Sequence, residues 1–187
     1  MIVPILSKDH PILKEVMPAF DFKNPIMDPV ELYTNLAETM RENEGMGLSA
    51  NQIGVRTRAF VMRGENIVGV FNPRVVDVST ETVLLEEGCL SYPNLFVKIK
   101  RPKSIKVRFT TPDGETSTKI FTGMTARVFL HELDHLDGIA HTSRANRYHL
   151  EQAQKLYKKL KNRPLSVLPT MSAEAQNLVD ALKVGVQ

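Results

Sequence analysis

Two histidines stand four residues apart with a glutamate beside the first, in His131-Glu132-Leu133-Asp134-His135. On a helix, positions four apart are offset by about 40° around the axis, so both imidazoles reach one ion. Glu132 then contacts water at that ion without ligating it and acts as a general base. Imidazole suits zinc and iron(II), whereas calcium and magnesium take oxygen ligands. The plain alternative is a core helix that happens to carry two histidines, since Leu130, Leu133 and Leu136 give it an apolar face. A third ligand decides between the two.

Two candidates compete for that place. His141 stands six residues after His135 with Gly138 between, so His131-Glu132-x-x-His135-x-x-Gly138-x-x-His141 has the spacing of metzincin zinc proteases. Met171 is then the candidate for the methionine beneath such a site. The other candidate is Cys89, in Glu87-Gly88-Cys89-Leu90-Ser91. A lone cysteine is more often a small buried hydrophobe. Here Gly88 permits close backbone approach, and a strand just upstream can hold the thiolate facing the helix. A Cys-His-His set leaves one position open for water, as a catalytic site requires.

The elements that position these residues are legible from pattern. A helix follows Asp28, its cap, with Pro29 at the first position, Glu31 completing a capping box, and Leu32, Leu36 and Met40 forming the apolar stripe. Gly45 is expected to end it. A proline-rich arm precedes it, with a short helical piece near Ile12–Met17. Seven short runs rich in Val, Ile, Thr and Phe read as strands: Ala59–Met62, Ile67–Phe71, Val75–Val78, Thr82–Leu85, Leu95–Ile99, Ser104–Phe109 and Thr116–Phe121. Asn72-Pro73, Tyr92-Pro93-Asn94 and Pro112-Asp113-Gly114 mark turns. Gly123–Leu136 reads as the histidine-bearing helix, His149–Lys161 as another, and Ser172–Lys183 as a last one. The class is α+β: a mostly antiparallel sheet of short strands around a central metal-binding helix. Residues 1–163 form one catalytic domain and 164–187 a C-terminal tail.

Composition removes other classes. With 42% hydrophobic and 24% charged residues among 187, a packed core is within reach. Trp is absent and aromatics are 6%, so the core relies on Leu, Ile, Val and Met. One cysteine forbids an intrachain disulfide, and no signal or transit pattern is present. No apolar run nears the roughly 18 residues that span a membrane. A cytoplasmic location follows. The net charge of +3 is too mild to argue for DNA, but Lys and Arg number seven against one acid, Glu151, between His141 and Arg163.

Three separated motifs resemble those of the peptide deformylase family: Gly45-Met46-Gly47-Leu48-Ser49-Ala50-Asn51-Gln52, Glu87-Gly88-Cys89-Leu90-Ser91, and His131 to Gly138. Their order and separations fit, and the likeness runs from Ile5 to about Gly138. The resemblance implies hydrolysis of the formyl group from the formylmethionine of nascent peptides, releasing formate. It implies Cys89, His131 and His135 as metal ligands, with iron(II) native and zinc, nickel or cobalt able to substitute. It makes Glu132 the proton shuttle, and the Gln52 amide and Leu90 backbone N–H the oxyanion donors. Gly45, Gly47 and Gly88 let substrate backbone lie close, while Met46, Leu85, Met124 and Val128 line the methionine pocket. Core packing is the rival reading for Leu85 and Val128. Arg127 sits at the pocket edge or pairs with an acid such as Glu87. His141 is left at the surface or beside the ligands.

Two departures stand out: Ser49 replaces the usual alanine, and Leu130 the usual glutamine. In bacterial relatives a basic C-terminal helix docks on the ribosome, which implies the same for residues 144–163. The rival reading is a solvated helix face with Leu156 and Leu160 turned inward.

Overall fold

The structure is a computed structural model and describes residues 1–161. The Ser172–Lys183 helix, Met171, the 164–187 tail and its boundary at 163 therefore lie outside the described residues. Helix α1 (Pro29–Glu42) is capped by Asp28, whose Oδ1 accepts from the N–H groups of Val30 and Glu31 at 2.9 Å each. Seven strands follow: β1 (Gly47–Ser49), β2 (Ala59–Arg63), β3 (Ile67–Val78), β4 (Thr82–Cys89), β5 (Tyr92–Pro102), β6 (Ser104–Thr110) and β7 (Thr116–Thr122). Helices α2 (Gly123–Leu136) and α3 (Arg147–Lys161) complete the order.

A five-stranded antiparallel sheet runs β1-β2-β3-β6-β7, and β4 and β5 form a separate hairpin. The large sheet lies between two helices, and the two-residue period of a strand sorts its side chains. Ala59 and Val61 of β2 join Leu32, Leu36 and Met40 on the α1 side; Phe60 and Met62 join Ala126, Phe129 and Leu136 on the α2 side. Both layers exclude water, which is why α2 can carry polar groups in a nearly dry setting.

Several boundaries differ from expectation. The early helical piece is a single 3-10 turn, Pro11–Lys14. α1 ends at Glu42, and the left-handed residue after it is Glu44 (φ 52), not Gly45. β3 runs through Asn72-Pro73, because a bulge absorbs the missing N–H and Asn72 (φ 49) bonds both backbone groups of Phe20. β5 likewise begins at Tyr92, so the hairpin turns at Leu90-Ser91 and β4 extends to Cys89. β1 was not foreseen, being three residues of a glycine-rich segment whose pairing with β2 is entirely tertiary. α3 begins at Arg147 because Asn146 caps it, accepting from the His149 N–H at 2.8 Å. Its inward contact uses buried Ala153, whereas Leu156 is 56% exposed.

Candidate active site

The β4–β5 hairpin and α2 bring the site together. Cys89 ends β4, and His131 and His135 lie one turn apart on α2 with both imidazoles buried. One ligand atom from each of Cys89, His131 and His135 falls within 4.8 Å of the others, the one such group of His, Cys, Asp or Glu among the described residues. Cys89 Sγ is 3.1 Å from His135 Nε2. His131 turns Nδ1 to Glu87 Oε2 at 3.1 Å, which leaves Nε2 for the site. One thiolate and two imidazoles fit iron(II) or zinc and are a poor fit for magnesium or calcium.

His141 does not join this set. It is 1% exposed rather than at the surface, packed edge-on against Tyr92 and 5.7 Å from the His131 ring, with Nε2 directed at Leu95 O (3.4 Å). Burial and the neighbouring His131 hold its pKa down at about 4. The three-histidine arrangement is therefore not the one the fold assembles.

The third group is Glu132, 3% exposed, whose carboxyl pKa burial raises. β1 supplies its bed. Gly47 and Ser49 share one face of that strand, and both meet Glu132. A Cβ on Gly47 would stand 2.5 Å from Glu132 Oε1, and Ser49 Oγ donates to Oε2 at 2.6 Å. Gln52 is oriented from the same segment: its Oε1 accepts from the Ser49 N–H at 2.9 Å. Its Nε2 is thereby turned toward Ser91 Oγ (3.2 Å) and Cys89 Sγ (3.7 Å). Leu90 follows Cys89 in the turn, and its side chain fills the space a Cβ on Gly45 would take. The Phe96 ring packs directly on Gly88, 2.6 Å from where a Cβ would lie.

A buried ionic network carries α2 on the hairpin. Glu87 accepts from Arg101 at 2.7 and 2.9 Å and from Arg127 at 2.7 Å. Asp134 accepts from Arg101 at 2.8 Å and from Arg144 at 2.6 Å. Burial alone would raise the Glu87 pKa, but Arg101 and His131 hold it well below the usual carboxylate range. Of the two placements considered for Arg127, the geometry is the pairing with Glu87, its remaining bonds going to Ile99 O and Val83 O. Of the other pocket candidates, Met46, Met124 and Val128 pack together on the α2 side of the core. Leu85 is 40% exposed, on the same face of β4 as Glu87.

Arg101, Asp134, Asn51 and Ser91 escaped the sequence reading. Arg101 had a signal: it continues the inward alternation Val97, Ile99 on β5, and a cation there demands buried carboxylates. Asn51 had none, because its bond to His135 O (2.7 Å) spans 84 residues.

The model of the family described as polypeptide deformylase matches residues 2–151. The chain belongs to the peptide deformylase family. It is 42% identical over 132 residues to the peptide deformylase of Thermotoga petrophila, covering 70% of this chain and 79% of that relative. To that of Wolbachia pipientis wMel it is 35% identical over 175 residues, covering 86% and 96%. The crystal structure of the Thermotoga maritima deformylase superposes with a TM-score of 0.74 at 35% identity, covering 78% of this chain and 99% of that one. A deformylase from Acinetobacter baumannii with Met-Ala-Ser bound gives 0.73 at 29% identity, covering 77% and 98%. The expected family, the α+β antiparallel fold and the Cys-His-His metal site all hold. This deformylase is a metal-dependent hydrolase. Among its described residues, no helix is long and apolar enough to cross a membrane.

Proposed function

We propose that this deformylase hydrolyses the formamide of N-terminal formylmethionine with Glu132 as proton shuttle and Gln52 Nε2 and Leu90 N–H as oxyanion donors. The observation that carries the reading is the convergence of Cys89, His131 and His135 with Glu132 and the Gln52 amide in one buried cluster. A divalent ion held by the three ligands would act as a Lewis acid and lower the pKa of water from 15.7 to about 7. Iron(II) is the metal proposed natively, with zinc, nickel or cobalt as substitutes, because one thiolate and two imidazoles accept each of them.

Glu132 takes a proton from the attacking water and delivers it to the departing amine, so the C–N bond breaks as formate leaves. Burial favours its neutral form, which suits a carboxyl that must hold a proton briefly. Gln52 donates from Nε2 because the Ser49 N–H holds its carbonyl oxygen the other way. Donors of this kind typically contribute ~10²–10³ in rate. Gly45, Gly47 and Gly88 admit substrate backbone beside β1 and β4. Met46, Leu85, Met124 and Val128 form the methionine pocket, and Arg127 stiffens its wall through Glu87. The Met-Ala-Ser held by the Acinetobacter protein supports a peptide with N-terminal methionine as product.

We further propose that residues 1–163 suffice for catalysis, in a reducing cytoplasm that keeps Cys89 a thiol. Lys155, Lys158 and Lys159 of α3, beside Lys98 and the exposed rings of Phe96 and Tyr148, suit contact with ribosomal RNA phosphates and bases. Salt-sensitive co-pelleting with ribosomes tests that contact, and its absence ends the idea. The primary test is formate release from formyl-Met-Ala-Ser by anaerobically purified protein. Activity that survives His141→Ala but collapses in Cys89→Ala and Glu132→Ala supports the reading; no formate from metal-loaded protein refutes it.

A further inference from the structure

We infer that Ser49 is a positioning residue for deformylation, its hydroxyl fixing the Glu132 carboxylate for proton transfer. This rests on the reading of Glu132 as the shuttle. Ser49 is fully buried on β1, and its Oγ stands 2.6 Å from Glu132 Oε2 and 3.1 Å from the Glu132 backbone oxygen. A hydroxyl has one proton, and the shorter contact lies in the range of a charge-assisted O–H···O⁻ bond.

The geometry around it leaves little freedom. The strand period puts Gly47 two residues before Ser49 on the same face, and the Glu132 side chain lies in the space a Gly47 side chain would fill. Ser49 therefore ties Oε2, while the missing side chain of Gly47 leaves the room that Oε1 occupies, so one strand both holds and accommodates the carboxylate. The Ser49 backbone N–H meanwhile orients Gln52. A single residue thus places both the shuttle and the oxyanion donor, the first through its side chain and the second through its main chain.

Only the first depends on residue type, so substitution separates them. The proton that Glu132 carries moves between water and the leaving amine; Ser49 keeps its own throughout. An alanine at this position leaves Gln52 oriented through the backbone N–H and frees only the carboxylate.

The test compares cobalt(II)-loaded wild type, Ser49→Ala and Ser49→Thr on formyl-Met-Ala-Ser, with cobalt content, the cobalt absorption spectrum and thermal melting recorded for each. Ser49→Ala is expected to fold and to bind cobalt as wild type does, with an unchanged spectrum. Its kcat should fall about tenfold or more while KM stays within about twofold, since small misplacements of a reacting group cost rate rather than binding. The solvent deuterium isotope effect on kcat should rise, and Ser49→Thr should recover most of the loss. Unchanged kcat in Ser49→Ala overturns the inference, as does an altered cobalt spectrum, which would place its effect on the ligands. Should wild type itself release no formate, it is the function above that fails.

Discussion

Cys89 and His141 stood equal in spacing arguments, and one distance separates them. Cys89 Sγ lies 3.1 Å from His135 Nε2, whereas His141 spends its Nε2 on a carbonyl. Cys89→Ala is therefore expected to abolish stoichiometric metal binding, read by elemental analysis, while His141→Ala retains it. Gln52→Ala should keep its metal and lose ~10²–10³ in kcat/KM, the usual worth of an oxyanion donor. Burial lowers the His131 pKa, but bonds with Cys89 and Glu87 raise it to about 10. A ligand gives up its proton to bind a cation, so metal uptake in weak buffer should acidify the solution and weaken as pH falls.

Among the helices and strands, the end of α2 matters most. Its last carbonyls are taken by Asn51 (His135 O, 2.7 Å) and by the Met17 N–H (Leu136 O, 2.8 Å), and Asp137 pairs with Arg58 at 2.7 Å. Gly138 then turns at φ 70, with the Lys14 backbone 2.7 Å from where a Cβ would lie. Gly138→Ala faces both a left-handed φ and a clash with main chain. It should cost at least ~1–3 kcal/mol in urea unfolding and loosen His135 with it. The helix was legible because its apolar period and its glycine stop are local. β1 was not, because three residues hold no periodicity and Ser49 and Gly47 acquire their purpose only when α2 arrives.

Across the molecule, the Glu87–Arg101–Asp134–Arg127 network couples the hairpin to α2, and its acid limb is predictable. Glu87 has a folded pKa depressed below its ordinary 4.5, so its contribution is complete above that value and is lost as pH falls toward the folded value. Urea midpoints measured from neutrality down to pH ~3 should drop below about 4.5 in wild type. In Glu87→Gln they should start lower, by ~3–5 kcal/mol for a broken buried pair, with the gap narrowing on acidification. Equal pH profiles for the two proteins would show that the network is not the source.

The linear chain determined the helical pair His131 and His135, the neighbouring Glu132, the α1 and α2 spans and the three motifs, because each depends on contacts within a few residues. By spacing alone it did not decide between Cys89 and His141, which only the three motifs taken together resolved toward Cys89; it left the role of Arg127 open and marked Asn72-Pro73 as a turn where β3 runs on. Those were set by folding: the ligand set joins segments 46 residues apart, and the Ser49–Glu132 bond joins segments 83 apart. Such pairings have no period to read. They exist only once a sheet packed on both faces has excluded water, making an unpaired buried charge or donor too costly to leave.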